Sequence, residues 1–215
     1  MEQLLSRIER KMGRFYISGL MKYIVFGMLG VFVLDMLPLP QMGMASGFLY
    51  FNRDLILQGQ IWRAITFIFI PPSSSLLFIV FALYFYYILG SALENRWGSR
   101  RFNLYYLVGI LGNILGGFIL GFNDNTYLNM SLFLAFACLY PDFEIMLFFF
   151  LPVKMKYVAI ADAVLLLLQF FRSTGAMKLC MLFSMLPFFL FFWRELYLMI
   201  RHWVFVLRRW LNSRR

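Results

Sequence analysis

The stretch Ile88–Phe102, ILGSALENRWGSRRF, decides how this chain is read. It joins two long apolar runs, Leu76–Leu93 and Asn103–Phe122, and sets Glu94, Arg96, Arg100 and Arg101 within eight positions, with Trp97 and Gly98 between them. A short charged turn between two bilayer-length apolar runs is the pattern of a membrane helical hairpin whose turn lies among the headgroups. Glu94 and Gly98 stand four apart on one helix face, so the carboxylate can lock the turn and the glycine can allow close approach.

Composition extends that reading to the whole chain. Of 215 residues, 62% are apolar, 20% aromatic and only 14% charged. A soluble domain of this length could not cover so much apolar surface, so lipid must act as part of its solvent. The two cysteines, Cys138 and Cys180, sit in apolar runs without metal-ligand spacing, so no cofactor, zinc site or disulfide framework is implied.

The apolar runs parse into six spans. Residues 1–22 place Leu4, Leu5, Ile8, Met12 and Phe15 opposite Arg7, Arg10, Lys11 and Arg14, the pattern of an amphipathic helix on an anionic membrane surface. The first span follows from Tyr23 to Leu37. No small-residue cleavage site follows it, so it reads as a retained anchor. Residues 38–75 are too punctuated by proline and glycine to span and too apolar to float. They are expected as a loop partly sunk in the outer leaflet. The second and third spans flank the charged turn. The fourth is Tyr127–Tyr140, and Phe143–Lys156 is a segment in the interface. The fifth span is Tyr157–Phe171, and the sixth runs from Ala176 to Trp193, or on to Tyr197. The tail, 198–215, sets Ile200, Trp203, Val204, Leu207 and Leu211 against Arg201, Arg208 and Arg209 as a second surface helix. The expected organisation is therefore an all-α membrane domain over 23–197 between two amphipathic ends.

Small residues mark the expected helix contacts. Gly112/Gly116 and Gly117/Gly121 on the third span, and Ala176, Cys180 and Ser184 on the sixth, are spaced for close backbone approach. Asn113 lies among them as a helix-to-helix hydrogen-bond donor. Asp162, the one acid deep in a span, calls for a partner, a wet cavity or a proton.

The cations fit this parse. The N-terminus, the 96–101 turn, the 154–156 turn and the region from Arg194 hold 16 of the 20 Lys and Arg, and the other side holds Arg53, Arg63, Arg172 and Lys178. Both termini are thus expected in the cytoplasm. The net charge of +10 is explained by topology and anionic lipid, without nucleic acid. The lack of a retention signal or long regulatory tail points to a bacterial cell membrane.

Trp62–Arg63 in the long first loop resembles the WR motif of the rhomboid and Derlin superfamily. Glu94-x-x-x-Gly98 after the second span, followed by Arg101–Phe102, is similar to that superfamily's Glu-x-x-x-Gly turn. A short fourth span and a proline-bearing segment before a small-residue sixth span match its layout. The resemblance covers about residues 23–197. It implies a six-helix rhomboid-like bundle, and in active members a Gly-x-Ser-Gly serine on the fourth span with a histidine on the sixth. A His and an Asn on the second span stabilise the oxyanion.

This sequence departs from that machinery. Ser131 occupies about the right place on the fourth span but lacks both glycines, and the second span has no His or Asn. The one histidine, His202, lies beyond the sixth span. With Ser131 roughly 6–8 Å below the outer surface and His202 past the cytoplasmic end, the two stand more than roughly 20 Å apart. A general base needs about 3 Å. Lys178 could replace it only if desolvated, and its place near the outer end of the sixth span suits snorkelling better. The implied function is a pseudoprotease that handles transmembrane segments of client proteins. Two alternatives stand beside it: a divergent protease using Ser131, and a solute or proton-coupled transporter using Asp162.

Overall fold

The computed structural model describes residues 16–37, 45–73, 75–147 and 151–193. The expected tail helix over 198–215 and most of the surface helix over 1–22 lie outside them. Leu20–Lys22, expected in that surface helix, instead open α1, Leu20–Met36. The rest of the order is β1 (Phe51–Asn52), α2 (Arg53–Leu57), α3 (Arg63–Thr66), α4 (Leu76–Trp97), α5 (Ser99–Leu120), β2 (Phe122–Asn123), α6 (Thr126–Leu139), β3 (Glu144–Leu147), β4 (Leu151–Lys154), α7 (Met155–Arg172), α8 (Gly175–Ser184) and α9 (Leu186–Phe191).

Two of these helices, α4 and α5, are each 22 residues long and apolar enough to cross a membrane. In α4 only 28% of the apolar window is buried inside the protein, so Leu76, Leu77, Val80 and Tyr84 face outward. A helix that is apolar all round yet mostly uncovered needs an apolar solvent. The remaining helices are shorter or more polar. α1 has 17 residues and α6 has 14, while α7 carries Lys156, Asp162 and Arg172.

α5 is the central helix. Phe102, Tyr105 and Tyr106 are buried near its start, and Gly109, Gly112, Gly116 and Gly117 farther along. A Cβ on Gly112 would lie 2.0 Å from the Phe183 carbonyl oxygen, and one on Gly116 would lie 3.0 Å from Cys180 Cα. The small-residue ridges on α5 and α8 thus meet backbone to backbone. Gly117 and Gly121 do not continue that ridge. Gly117 receives the ring of Phe51, and Gly121 has φ +96° and ends α5 in the left-handed region.

The expected continuous sixth span is interrupted at Met185. Pro187 has no N–H to return to the Phe183 carbonyl. That carbonyl is the atom packed against Gly112, so the break and the close approach share one cause. Within Phe143–Lys156, expected at the interface, β3 and β4 pair antiparallel with Glu144 opposite Lys154, and Met155 and Lys156 open α7. Asp142 receives a hydrogen bond from Lys156 at 2.9 Å and lies 3.8 Å from Lys154. That pairing holds the exposed Asp142 carboxyl below its ordinary value.

Candidate functional site

The charged turn works as a junction between three helices. Glu94 Oε1 accepts the Gly19 N–H at 2.7 Å and the Ser99 hydroxyl at 2.5 Å. Gly19 caps α1 and Ser99 opens α5, so one nearly buried carboxylate serves two helix N-termini, where a negative charge is favoured. Gly98 separates α4 from α5 with φ +82° and ψ 153°, a conformation that a side chain would strain. Its N–H donates to the Glu94 carbonyl at 2.7 Å. Asn103 completes the junction by accepting the Ile17 N–H and donating to the Ile17 and Ser99 carbonyls. Trp97 lies against Tyr105 and against Phe191 and Phe192 of the α9 end, and the Arg101 guanidinium lies over Phe191.

Arg63 organises the loop between α1 and α4. It is 5% exposed, and its Nη1 donates to the carbonyls of Gly47 (2.9 Å) and Tyr50 (3.1 Å). Its Nε donates to Gln60 Oε1 at 2.7 Å. Trp62 is half exposed, and its indole N–H reaches the Phe48 carbonyl at 3.3 Å. β1 pairs with β2, and Asn125 Nδ2 donates to the carbonyls of Ile68 and Ile70. The loop is thereby tied to one end of α5 and α6.

Ser131 is fully buried on α6. Its hydroxyl donates to the Leu128 carbonyl at 2.7 Å, and the Tyr105 hydroxyl lies 3.1 Å from Oγ while donating to the Ser131 carbonyl at 2.9 Å. A serine returning its proton to a carbonyl of its own helix is a packing element, with no base in hydrogen-bond reach among these partners. Lys178 Nζ sits 5.7 Å from the centre of the Phe170 ring, a cation–π contact with α7. His202 lies outside the described residues.

Asn113, expected as a donor between helices, is instead mainly an acceptor there. Its Oδ1 accepts from Ser184 (3.0 Å) and Asn123 (3.1 Å), while its own Nδ2 goes to the Gly109 carbonyl within α5. Ser184 of the α8 ridge is therefore both a small packing residue and a donor. Cys180 is buried beside Gly116, and Ala176 is half-buried.

Asp162 opens onto the most suggestive feature, a cleft of about 390 Å³ between α4, α6 and α7. Phe81, Phe85 and Phe133 give it aromatic walls, and Tyr86, Asn125, Thr126, Asn129 and Asp162 give it polar ones. Asn129 is 3% exposed, yet neither Oδ1 nor Nδ2 makes a hydrogen bond of good geometry, although the Tyr86 hydroxyl lies beside it. Asp162 Oδ2 is likewise buried without a hydrogen-bond partner. α7, one wall of the cleft, is lightly held: of its 18 residues only Met155 and Leu166 are buried.

Sequence reading found Asp162 but missed Asn103, Asn123, Asn125 and Asn129. The available signal was a series of amides among apolar residues that nothing else required. No protein family matches the sequence, and no curated protein matches it.

Proposed function

We propose that this chain is a rhomboid-like, Derlin-like membrane pseudoprotease. It forms a six-span bundle with both termini cytoplasmic, in a bacterial cell membrane with anionic lipid. It holds transmembrane segments of client proteins without cleaving them. In this reading α1, α4, α5, α6, α7 and the α8–α9 pair are the six spans. The β3–β4 hairpin lies in the interface, since its open edges exclude it from hydrocarbon.

The observation that carries the proposal is the cleft itself. It is walled by three helices, lined by aromatic rings, and carries the polar side chains of Tyr86, Asn129 and Asp162, which suits a helix arriving sideways from lipid. The engaged state of the Ser131 hydroxyl supports binding without cleavage. The 14-residue α6, about 21 Å long, supports local mismatch with a bilayer core of about 30 Å.

The test is photo-crosslinking in vesicles, with benzoylphenylalanine at Phe133 in the cleft and at the outward-facing Tyr23 on α1 as a control. The proposal expects a full-length single-span helix to crosslink at Phe133 and much less at Tyr23. Equal labelling at both positions refutes it. The partnerless Asp162 Oδ2 favours a second reading, a proton-coupled transporter, for which Asp162→Asn abolishes flux into vesicles.

A further inference from the structure

We propose that a second groove, between α6, α7, α8 and α9, seats one acyl chain of an anionic phospholipid, with the lipid phosphate on Lys178. The inference rests on the membrane reading of the chain and not on the handling of clients. The groove has a volume of about 350 Å³. Ala163, Leu166, Leu167 and Phe170 of α7 line it. They stand at i, i+3, i+4 and i+7, one stripe of the helix, on a different face from Val158 and Asp162, which line the α4–α6–α7 cleft. Met181, Leu182 and Met185 lie across from them. Leu167 and Leu182 are 58% and 43% exposed, so the protein itself leaves the groove open.

The lining, depth and charge of the groove select a lipid chain. Every lining side chain is a hydrocarbon or a thioether, so a guest bearing a hydrogen-bonding group would leave it unmet there. The methionines are unbranched and adapt to a chain that bends. Ala163 stands nine residues before Arg172, the end of α7, which is roughly 13 Å along the helix and close to the roughly 15 Å of hydrocarbon in one leaflet. At the Arg172 end the half-buried Lys178 holds its Nζ 5.7 Å from the centre of the Phe170 ring, beside the groove. Among the described residues, neither Lys178 nor Arg172 is ion-paired with a carboxylate. In the six-span reading this end faces outward, where cations are disfavoured. A lipid phosphate supplies the missing countercharge while its acyl chain runs inward along the stripe.

The experiment uses the full chain in vesicles of equal parts phosphatidylglycerol and phosphatidylcholine, with a diazirine on the acyl chain of one lipid or the other. Adducts are mapped at Leu182 and Phe189 in the groove and at Val80, 61% exposed on α4, as the reference for bulk lipid. The phosphatidylglycerol-to-phosphatidylcholine ratio is expected to be about fivefold higher in the groove than at Val80, the bias that one lysine near a membrane surface supplies. Lys178→Gln is expected to bring the two ratios together. Ala163→Phe fills the groove and is expected to lower the groove adducts of both lipids severalfold. If that variant fails to fold, judged by its melting temperature, Leu167→Trp on the exposed rim carries the same test.

Equal ratios in the groove and at Val80, or a groove ratio that Lys178→Gln leaves unchanged, overturn the inference while the membrane reading stands. Groove residues that stay unlabelled beside a labelled Val80 also overturn it, in favour of a protein segment seated there. No lipid adduct at any of these positions overturns the membrane reading, and this inference with it.

Discussion

Gly112→Ala tests the contact on which the bundle is built. The added methyl would stand 2.0 Å from the Phe183 carbonyl oxygen and 2.9 Å from its carbon. Ordinary carbon contacts fall near 3.5 Å, so α5 and α8 must separate by more than about 1 Å. The neighbours do not tolerate that. Gly116 is itself close to Cys180, where an added Cβ would lie 3.0 Å from its Cα, and the Ser184–Asn113 hydrogen bond already measures 3.0 Å. Overpacking of this kind costs about 1–3 kcal/mol, and loss of an interhelical hydrogen bond adds about 0.6–1.7 kcal/mol. A total of about 2–5 kcal/mol is expected. Gly30→Ala is the matched control: the same methyl on α1 meets nothing within 4 Å. It should be neutral or slightly stabilising, because alanine is the better helix former. Reversible unfolding in a defined micelle, or thermal melting in nanodiscs, measures both. If Gly112→Ala and Gly30→Ala melt alike, the backbone contact between α5 and α8 does not exist as described.

Three further perturbations address other parts of the structure. Glu94→Ala removes the acceptor for the Gly19 N–H and the Ser99 hydroxyl and should cost about 2–4 kcal/mol, while Glu94→Gln, which keeps an acceptor, should cost about half as much; the same melting assay separates them. Arg63→Lys cannot reach the Gly47 and Tyr50 carbonyls and Gln60 together, so amide exchange over residues 45–69 should quicken by at least tenfold, and Arg63→Ala should quicken it further. Asp142 has its pKa lowered by the hydrogen bond from Lys156, so the pairing is fully present above the ordinary carboxyl value of 3.8. Its contribution is lost as pH falls through the depressed Asp142 value, and amide exchange at Met155 and Lys156 should then rise in the wild type but not in Asp142→Asn.

Much of the helix layout was legible because apolar runs and charged turns carry the period and length of helices in lipid. The turn at Glu94–Gly98 and the Gly112/Gly116 ridge were readable for the same reason, since each is a local spacing. The partner of Glu94 was not readable. It is Gly19, 75 residues away, and a backbone N–H leaves no mark in sequence. Gly117 and Gly121 carry the same spacing as Gly112 and Gly116 but serve a phenylalanine ring and a helix end, so spacing alone overstates helix contact. The break at Met185 coincides with Pro187, which the expectation of a continuous sixth span did not weigh, and the seating of the Phe183 carbonyl on Gly112 leaves no mark in sequence. The cleft depends on how α4, α6 and α7 are splayed, and only Asp162 betrayed it in advance. The β3–β4 hairpin escaped because its apolar run looks equally like a half-submerged helix.

The most direct test of binding without cleavage is fluorophosphonate labelling of the purified protein, beside an active rhomboid protease and the Ser131→Ala variant. Ser131 gives its proton to the Leu128 carbonyl and has Tyr105 as its other neighbour, so no labelling above that of Ser131→Ala is expected, while the control enzyme reacts fully. Labelling of the wild type that vanishes in Ser131→Ala would reveal an activated serine and contradict the account.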